Sequence, residues 1–108
     1  MAENSKFEDL VMNLIIQGGA AKSGYIEAIR LAKKGSFDKI ENLWNESNHA
    51  YEEAHKTHFE ILNGELSPSS MMEKLLLIHA EDQMNSAEIF KVISEEMVDL
   101  YKVIEKMK

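Results

Sequence analysis

Apolar residues recur along the chain at the three- and four-residue spacing of a helix face, with no stretch of strand-like alternation. The first stripe runs Phe7, Leu10/Val11, Leu14, Gly18, Ala21, Tyr25, Ala28, Leu31/Ala32. It predicts a helix over about residues 5–34, opened by the capping-box pattern Ser5-Lys6-Phe7-Glu8 and closed at Gly35 behind Lys33 and Lys34. The second runs Ile40, Leu43/Trp44, Ser47, Tyr51, Ala54, His58, Ile61/Leu62 and predicts a helix over about 37–63, capped by Ser36 and ended by Asn63-Gly64. After Leu66-Ser67-Pro68-Ser69, which a helix does not readily cross, Ser70-Met71-Met72-Glu73 is a second capping box and predicts a helix over about 70–106. The two short connections favour antiparallel neighbours, so the expected fold is all-α, one domain folded as an up-down-up three-helix bundle.

The third helix carries two features of its own. Its main stripe, Met72, Leu75/Leu76, His79, Asp82/Gln83, Ser86, Ile89/Phe90, Ile93, Met97, Leu100, Ile104, is broken for about two turns by polar groups. An ionised carboxylate is costly to bury without a partner, so the break points to a metal, a partner chain or a reaction. The structural alternative is a core histidine hydrogen-bonded to Asp82. Beside the stripe lies a second apolar row, Leu77, Ala80, Met84 and Ala87. One row suffices for the core of a three-helix chain, so two rows imply that another surface is covered by neighbouring subunits.

Composition narrows the classes. With 44% hydrophobic and 29% charged residues the 108-residue chain belongs among globular proteins, large enough to bury a core. Its formal charge of −7 is spread along the chain, and no basic stripe exists to bind nucleic acid. The absence of cysteine excludes disulfides, thiolate metal sites and a cysteine nucleophile. The N-terminus lacks a basic segment followed by an apolar one, and the longest aliphatic run is Leu75 to Ile78; the expected location is the cytoplasm.

Three constellations bear on chemistry. Gly18-Gly19-Ala20-Ala21-Lys22-Ser23 resembles the tail of a phosphate-binding loop, but Ala21 stands where glycine is needed and the preceding segment reads as helix. Three glycines, Gly18, Gly19 and Gly24, within one helix point instead to a close backbone approach, by a packed helix or by a partner at a site. Glu-x-x-His occurs at Glu46–His49 and Glu52–His55, the spacing used by di-iron bundles, but both copies lie on one helix and point in different directions. His58, on the apolar stripe, reads as a core or interface histidine. That leaves His79 as the strongest nucleophile at neutral pH, with Asp82 and Gln83 one turn on to orient the ring or hold a cation. The non-enzymatic alternative is a helical oligomerisation module in which His79 and Asp82 form a structural polar layer fixing register.

Taken in order, Gly19-x-Ala21-Lys22-Ser23, Glu27-Ala28, Ala32-Lys33-x-Gly35-x-Phe37, Glu53-Ala54-His55 and His79-Ala80-Glu81-Asp82-Gln83-Met84 cover most of the chain. Together they resemble the lactose/cellobiose-type IIA component of the bacterial phosphoenolpyruvate-dependent sugar phosphotransferase system, whose last motif is close to His-Ala-Gln-Asp-His-Leu. The resemblance implies a homotrimer with the third helix near its axis. It implies that His79 is phosphorylated from the carrier protein HPr and passes the group to a cysteine of the IIB component, serving a membrane IIC component indirectly. The sugar class implied is a β-glucoside or galactoside disaccharide. It further implies that three copies of Asp82 meet around a divalent cation such as Mg²⁺. Gly19, Lys22, Gln83 and His58 would support the site or line its groove, and Lys22 or Lys74 would be candidates to stabilise phosphate oxygens. Two departures stand out: Gln83 replaces a second histidine, leaving one titratable ring on this turn, and His58-Phe59 replaces Gln-Thr in the surrounding groove.

Overall fold

A computed structural model describes residues 2–108 of the protein, with side chains from residue 5 onward. Helix α1 spans Ala2–Lys33, a short 3₁₀ turn covers Phe37–Lys39, α2 spans Ile40–Asn63 and α3 spans Met71–Lys106. The described residues contain no strand. The molecule measures 60 × 21 × 18 Å, its length set by α1 and α3.

Local chemistry explains most of the boundaries. At the end of α1, Gly35 adopts φ +80°, a conformation that costs other residues more. Its N–H donates to the Ala32 carbonyl at 3.0 Å, and the Ser36 N–H to the Leu31 carbonyl at 2.9 Å, which closes the helix as a Schellman motif. At the start of α3, Ser70 Oγ accepts the Glu73 N–H at 3.1 Å. The return bond of the box runs one residue further out, because Glu73 Oε1 accepts both the N–H and the hydroxyl of Ser69, at 2.8 and 3.1 Å.

Two starts differ from expectation. Helix α1 begins at Ala2, so Ser5 lies inside it and does not cap it; nothing in Ala2-Glu3-Asn4 breaks a helix. Ser36 occupies an N-cap position but its side chain makes no capping bond, and the chain enters α2 through the 3₁₀ turn.

Helix α1 is the centre of the bundle, packed along its length on both α2 and α3. Pairs such as Tyr25 with Asn48 and Asn13 with Thr57 run in opposite sequence directions, so α2 is antiparallel to α1. Gly18 meets Met84, and the Tyr25 carbonyl meets Ser94, so α3 is parallel to α1. The core forms three zones: Phe7, Val11, Leu14, Ala54, Ile61, Ala80 and Met84; then Ala21, Tyr25, Ala50 and Ala87; then Ala28, Ala32, Ile40 and Val98.

On α3 the two apolar rows have opposite fates. Ala80, Met84, Ala87 and Val98 are buried against the bundle, whereas Leu75, Ile78, Ile89, Val92 and Leu100 remain more than half exposed. The polar break at His79 and Asp82 therefore lies on the outer surface. The reason is steric. A short distance between α1 and α3 requires small residues on both sides, and Gly18 sits so close to α3 that an added Cβ would lie 3.3 Å from the Met84 nitrogen. Alanines 80 and 87 fit that seam; the branched side chains do not.

Candidate functional site

The site is built on the middle of α3, whose register is held by the Ser70/Glu73 cap and by the Gly18 contact. Each residue turns the helix by about 100°, so Asp82 lies near the centre of the exposed stripe, flanked along the axis by Leu75, Ile78, Ile89 and Ile93. Both His79 and Asp82 are exposed. No hydrogen bond joins them, so the structural alternative of a core His–Asp pair does not describe this chain.

His79 stands on one edge of the stripe, the edge facing α1. One turn on, half-buried Gln83 backs onto Gly18, whose Cβ position is 3.5 Å from Gln83 Cβ. Two turns further, the Lys22 ammonium of α1 lies 5.6 Å from the centre of the Phe90 ring, so its charge sits on this same flank. Gly19 has nothing within 4 Å of its Cβ position; in contrast, Gly24 is closely covered by Ser47 of α2. The glycine cluster thus divides: Gly18 and Gly24 let helices of this chain approach, and Gly19 leaves open surface on the α1 side.

His58 is placed elsewhere. Its Nε2 lies 2.9 Å from Glu81 Oε2, across the α2–α3 contact. Glu81 follows His79 by two residues and therefore points about 160° away from it around α3. Within one chain, His58 and His79 lie on opposite flanks of the stripe. Sequence spacing alone did not reveal this partner of His58, since the pair is separated by 23 residues and only the packing of α2 brings it together. Lys74 is exposed near the N-terminal end of α3.

The remaining titratable clusters do not converge. His49 and His55 are exposed, and His55 meets the Tyr51 ring edge-on with centroids 4.7 Å apart. No group of three or more His, Asp or Glu able to hold a metal ion occurs among the described residues of one chain. A groove of about 560 Å³ between α1 and α2, lined in part by Asp9, Asn13, Glu53 and Glu60, contains neither His79 nor Asp82. No described helix is long and apolar enough to cross a membrane.

What the arrangement supplies is an accessible imidazole on a rigid helix, bordered by an amide one turn on and a broad apolar surface, with the Lys22 ammonium about three turns further along the same flank. An acceptor that must meet another protein's reactive group needs such exposure. Residues 9–102 match the family described as the lactose/cellobiose-specific IIA subunit of the PTS system, and the chain belongs to that family. It is 30% identical over 100 residues to the N,N'-diacetylchitobiose-specific EIIA component of Escherichia coli K12, covering 93% of this chain and 86% of that protein. It is 33% identical over 95 residues to the oligo-β-mannoside-specific EIIA component of Bacillus subtilis, covering 88% and 86%. It is 29% identical over 93 residues to the lactose-specific EIIA component of Staphylococcus epidermidis, covering 86% and 89%. No solved structure gives a significant match. The protein is thus a phosphotransferase-system component with a role in phosphoryl transfer.

Proposed function

We propose that this chain is a phosphocarrier in which His79 takes a phosphoryl group from the phosphohistidine of HPr and delivers it to a cysteine thiolate of a IIB component. The observation that carries the reading is the exposed His79 at the edge of an open apolar face. In the first step the lone pair of a neutral His79 ring nitrogen attacks phosphorus, and the donor's P–N bond breaks with its electron pair returning to the donor ring. In the second, the thiolate attacks phosphorus and the His79 P–N bond breaks in the same sense. Such transfers depend chiefly on alignment and charge stabilisation, and a histidine fixed on a helix with Gln83 one turn on is suited to the alignment. Transport then falls to a membrane IIC component. The relatives' names span chitobiose, lactose and oligo-β-mannoside, which supports a β-linked oligosaccharide as the sugar; a β-glucoside or galactoside disaccharide is one member of that class.

The exposed stripe supports a homotrimer with α3 at the axis. Asp82 gives one carboxylate per chain, whereas a hard divalent cation takes about six oxygens. A single chain does not fit such an ion; three Asp82 carboxylates and water would, with Mg²⁺ neutralising the charge between subunits.

The test is incubation with phosphoenolpyruvate, the first enzyme of the system and HPr. Wild type should acquire an acid-labile, base-stable phosphate, and His79→Gln should acquire none while keeping its helicity and assembly. Phosphate retained by that variant, at His58 for instance, would overturn the assignment; no phosphate on wild type would favour the oligomerisation module.

A further inference from the structure

Helices α2 and α3 both pack along α1 and touch each other little, which leaves a cleft between them. Near the start of α2 the cleft encloses about 390 Å³ and is lined by Phe37, Glu41, Trp44, Asn45, Asn48 and Lys102. That volume lies within the range of about 300–1,000 Å³ typical of small-ligand sites. A recess of about 40 Å³ shares Trp44 and Asn48 with it and adds Lys91 and Glu95 of α3. Lys91, Glu95 and Lys102 stand roughly 140–180° around α3 from Asp82, so the cleft lies on the side of that helix away from the exposed apolar stripe. Even Lys91, the nearest of them to His79, is about 18 Å from it along the helix.

Two walls of the cleft are held in place by bonds to buried groups. The Trp44 indole N–H donates to Ser94 Oγ at 2.9 Å, so the ring cannot turn without breaking a bond to a fully buried hydroxyl. The Tyr25 hydroxyl donates to Asn48 Oδ1, which fixes that amide and leaves its two Nδ2–H donors unused. Around them the side chains of Glu41, Asn45 and Lys102 make no hydrogen bond or ion pair among the described residues. The cleft therefore offers a fixed aromatic wall, two amides, one carboxylate and one ammonium. The recess adds a second carboxylate and a second ammonium, so the charges cancel.

This chemistry selects among ligands. A purely apolar molecule would strand the amides and the charged groups without partners. An anion would meet Glu41 and Glu95, and a cation would meet Lys91 and Lys102. A pyranose ring meets each need: its C–H face packs on an aromatic ring, and its hydroxyls both donate and accept. We propose that the Trp44 cleft binds an uncharged pyranose sugar, at a site separate from His79. The proposal does not depend on the carrier reading.

Trp44 is the only tryptophan of the chain, so its fluorescence reports on this cleft alone. Wild type is titrated with methyl β-D-glucopyranoside and with methyl β-D-galactopyranoside. At least one should give a saturable change with Kd on the order of 1 mM, as expected for a small polar ligand. The Trp44 indole N–H resonance should move with the same Kd. Glycerol, a polyol without a ring, should give neither response. Glucose 6-phosphate should bind no more tightly than the neutral sugar. Asn45→Ala and Glu41→Gln alter exposed side chains and should each weaken binding about three- to tenfold, with helicity unchanged. Asn48→Ala should weaken it at least as much. Should that variant unfold for want of the Tyr25 partner, the double variant Asn45→Ala/Glu41→Gln takes its place and should lose more than either single change. No saturation by either glycoside up to about 50 mM, where such a site would be nearly full, would overturn the proposal. So would an equal response to glycerol, tighter binding of the phosphorylated sugar, or wild-type affinity in both exposed variants.

Discussion

Ser94→Ala should destabilise the protein by about 2–3 kcal/mol, although it removes a single oxygen. Ser94 is fully buried and ties the three helices together. Its hydroxyl donates to the Tyr25 carbonyl of α1 at 2.8 Å and accepts the Trp44 indole N–H of α2 at 2.9 Å. Each bond contributes about 1 kcal/mol net, and the indole N–H loses its acceptor in a half-buried setting, adding part of a desolvation penalty of about 1–3 kcal/mol. The Tyr25 carbonyl retains its own helix bond and adds little. For a chain this long the sum corresponds to a fall in Tm of roughly 8–12 °C. The assay is urea unfolding followed by circular dichroism at fixed protein concentration, since association couples to stability. In a Trp44→Phe background the same substitution should cost about 1 kcal/mol less. Phosphoryl acceptance below the transition should be unchanged, because Ser94 lies about 22 Å along α3 from His79. A cost under about 0.5 kcal/mol, or equal costs in the two backgrounds, would refute the argument that this hydroxyl joins the helices.

Asp82→Leu should give an assembly at least as stable as wild type, since it removes like charges from the subunit axis and adds apolar area; chelation should lower the Tm of wild type alone. Equal chelator shifts in both proteins would exclude an axial cation. Burial, with the nearby Tyr51, Glu95 and Glu52, pushes the Tyr25 phenol up to about 12. A phenol raised in the folded state contributes stability that is complete below pH 10 and is lost as pH climbs from 10 to 12, so alkaline unfolding should show a component that Tyr25→Phe abolishes. Gly19→Ala, with nothing within 4 Å, should stabilise the chain by about 0.5–1 kcal/mol, whereas Gly18→Ala should gain less because its Cβ meets the Met84 backbone at 3.3 Å. Equal thermal midpoints for the two would mean that the α1–α3 seam is looser than the contact distances imply.

Much of this protein is written locally. Glycine at 35, proline at 68 and the Ser70/Glu73 box mark helix ends through bonds made within a few residues, so their effect is independent of the rest of the fold. The face of α1 that carries Phe7, Val11, Leu14, Tyr25 and Ala28 is legible for a similar reason: one stripe of bulky and small apolar groups has only one inward direction. His79 was legible by its chemistry and its place in a motif.

Tertiary packing decided the rest. Helix α3 has two apolar rows with the same period, and periodicity cannot tell which is inside. The decision belongs to the distance between α1 and α3: Gly18, Ala21 and Ala28 bring the helices close, the seam admits Ala80, Ala87 and Ser94, and the larger Leu75, Ile78 and Ile89 are left outside. The same choice put Asp82 on the surface, turned His79 toward α1, and sent Glu81 to meet His58 on α2. The sequence singled out His79 as the candidate, but a rotation of one helix about its axis, fixed by steric fit alone, determined what it faces.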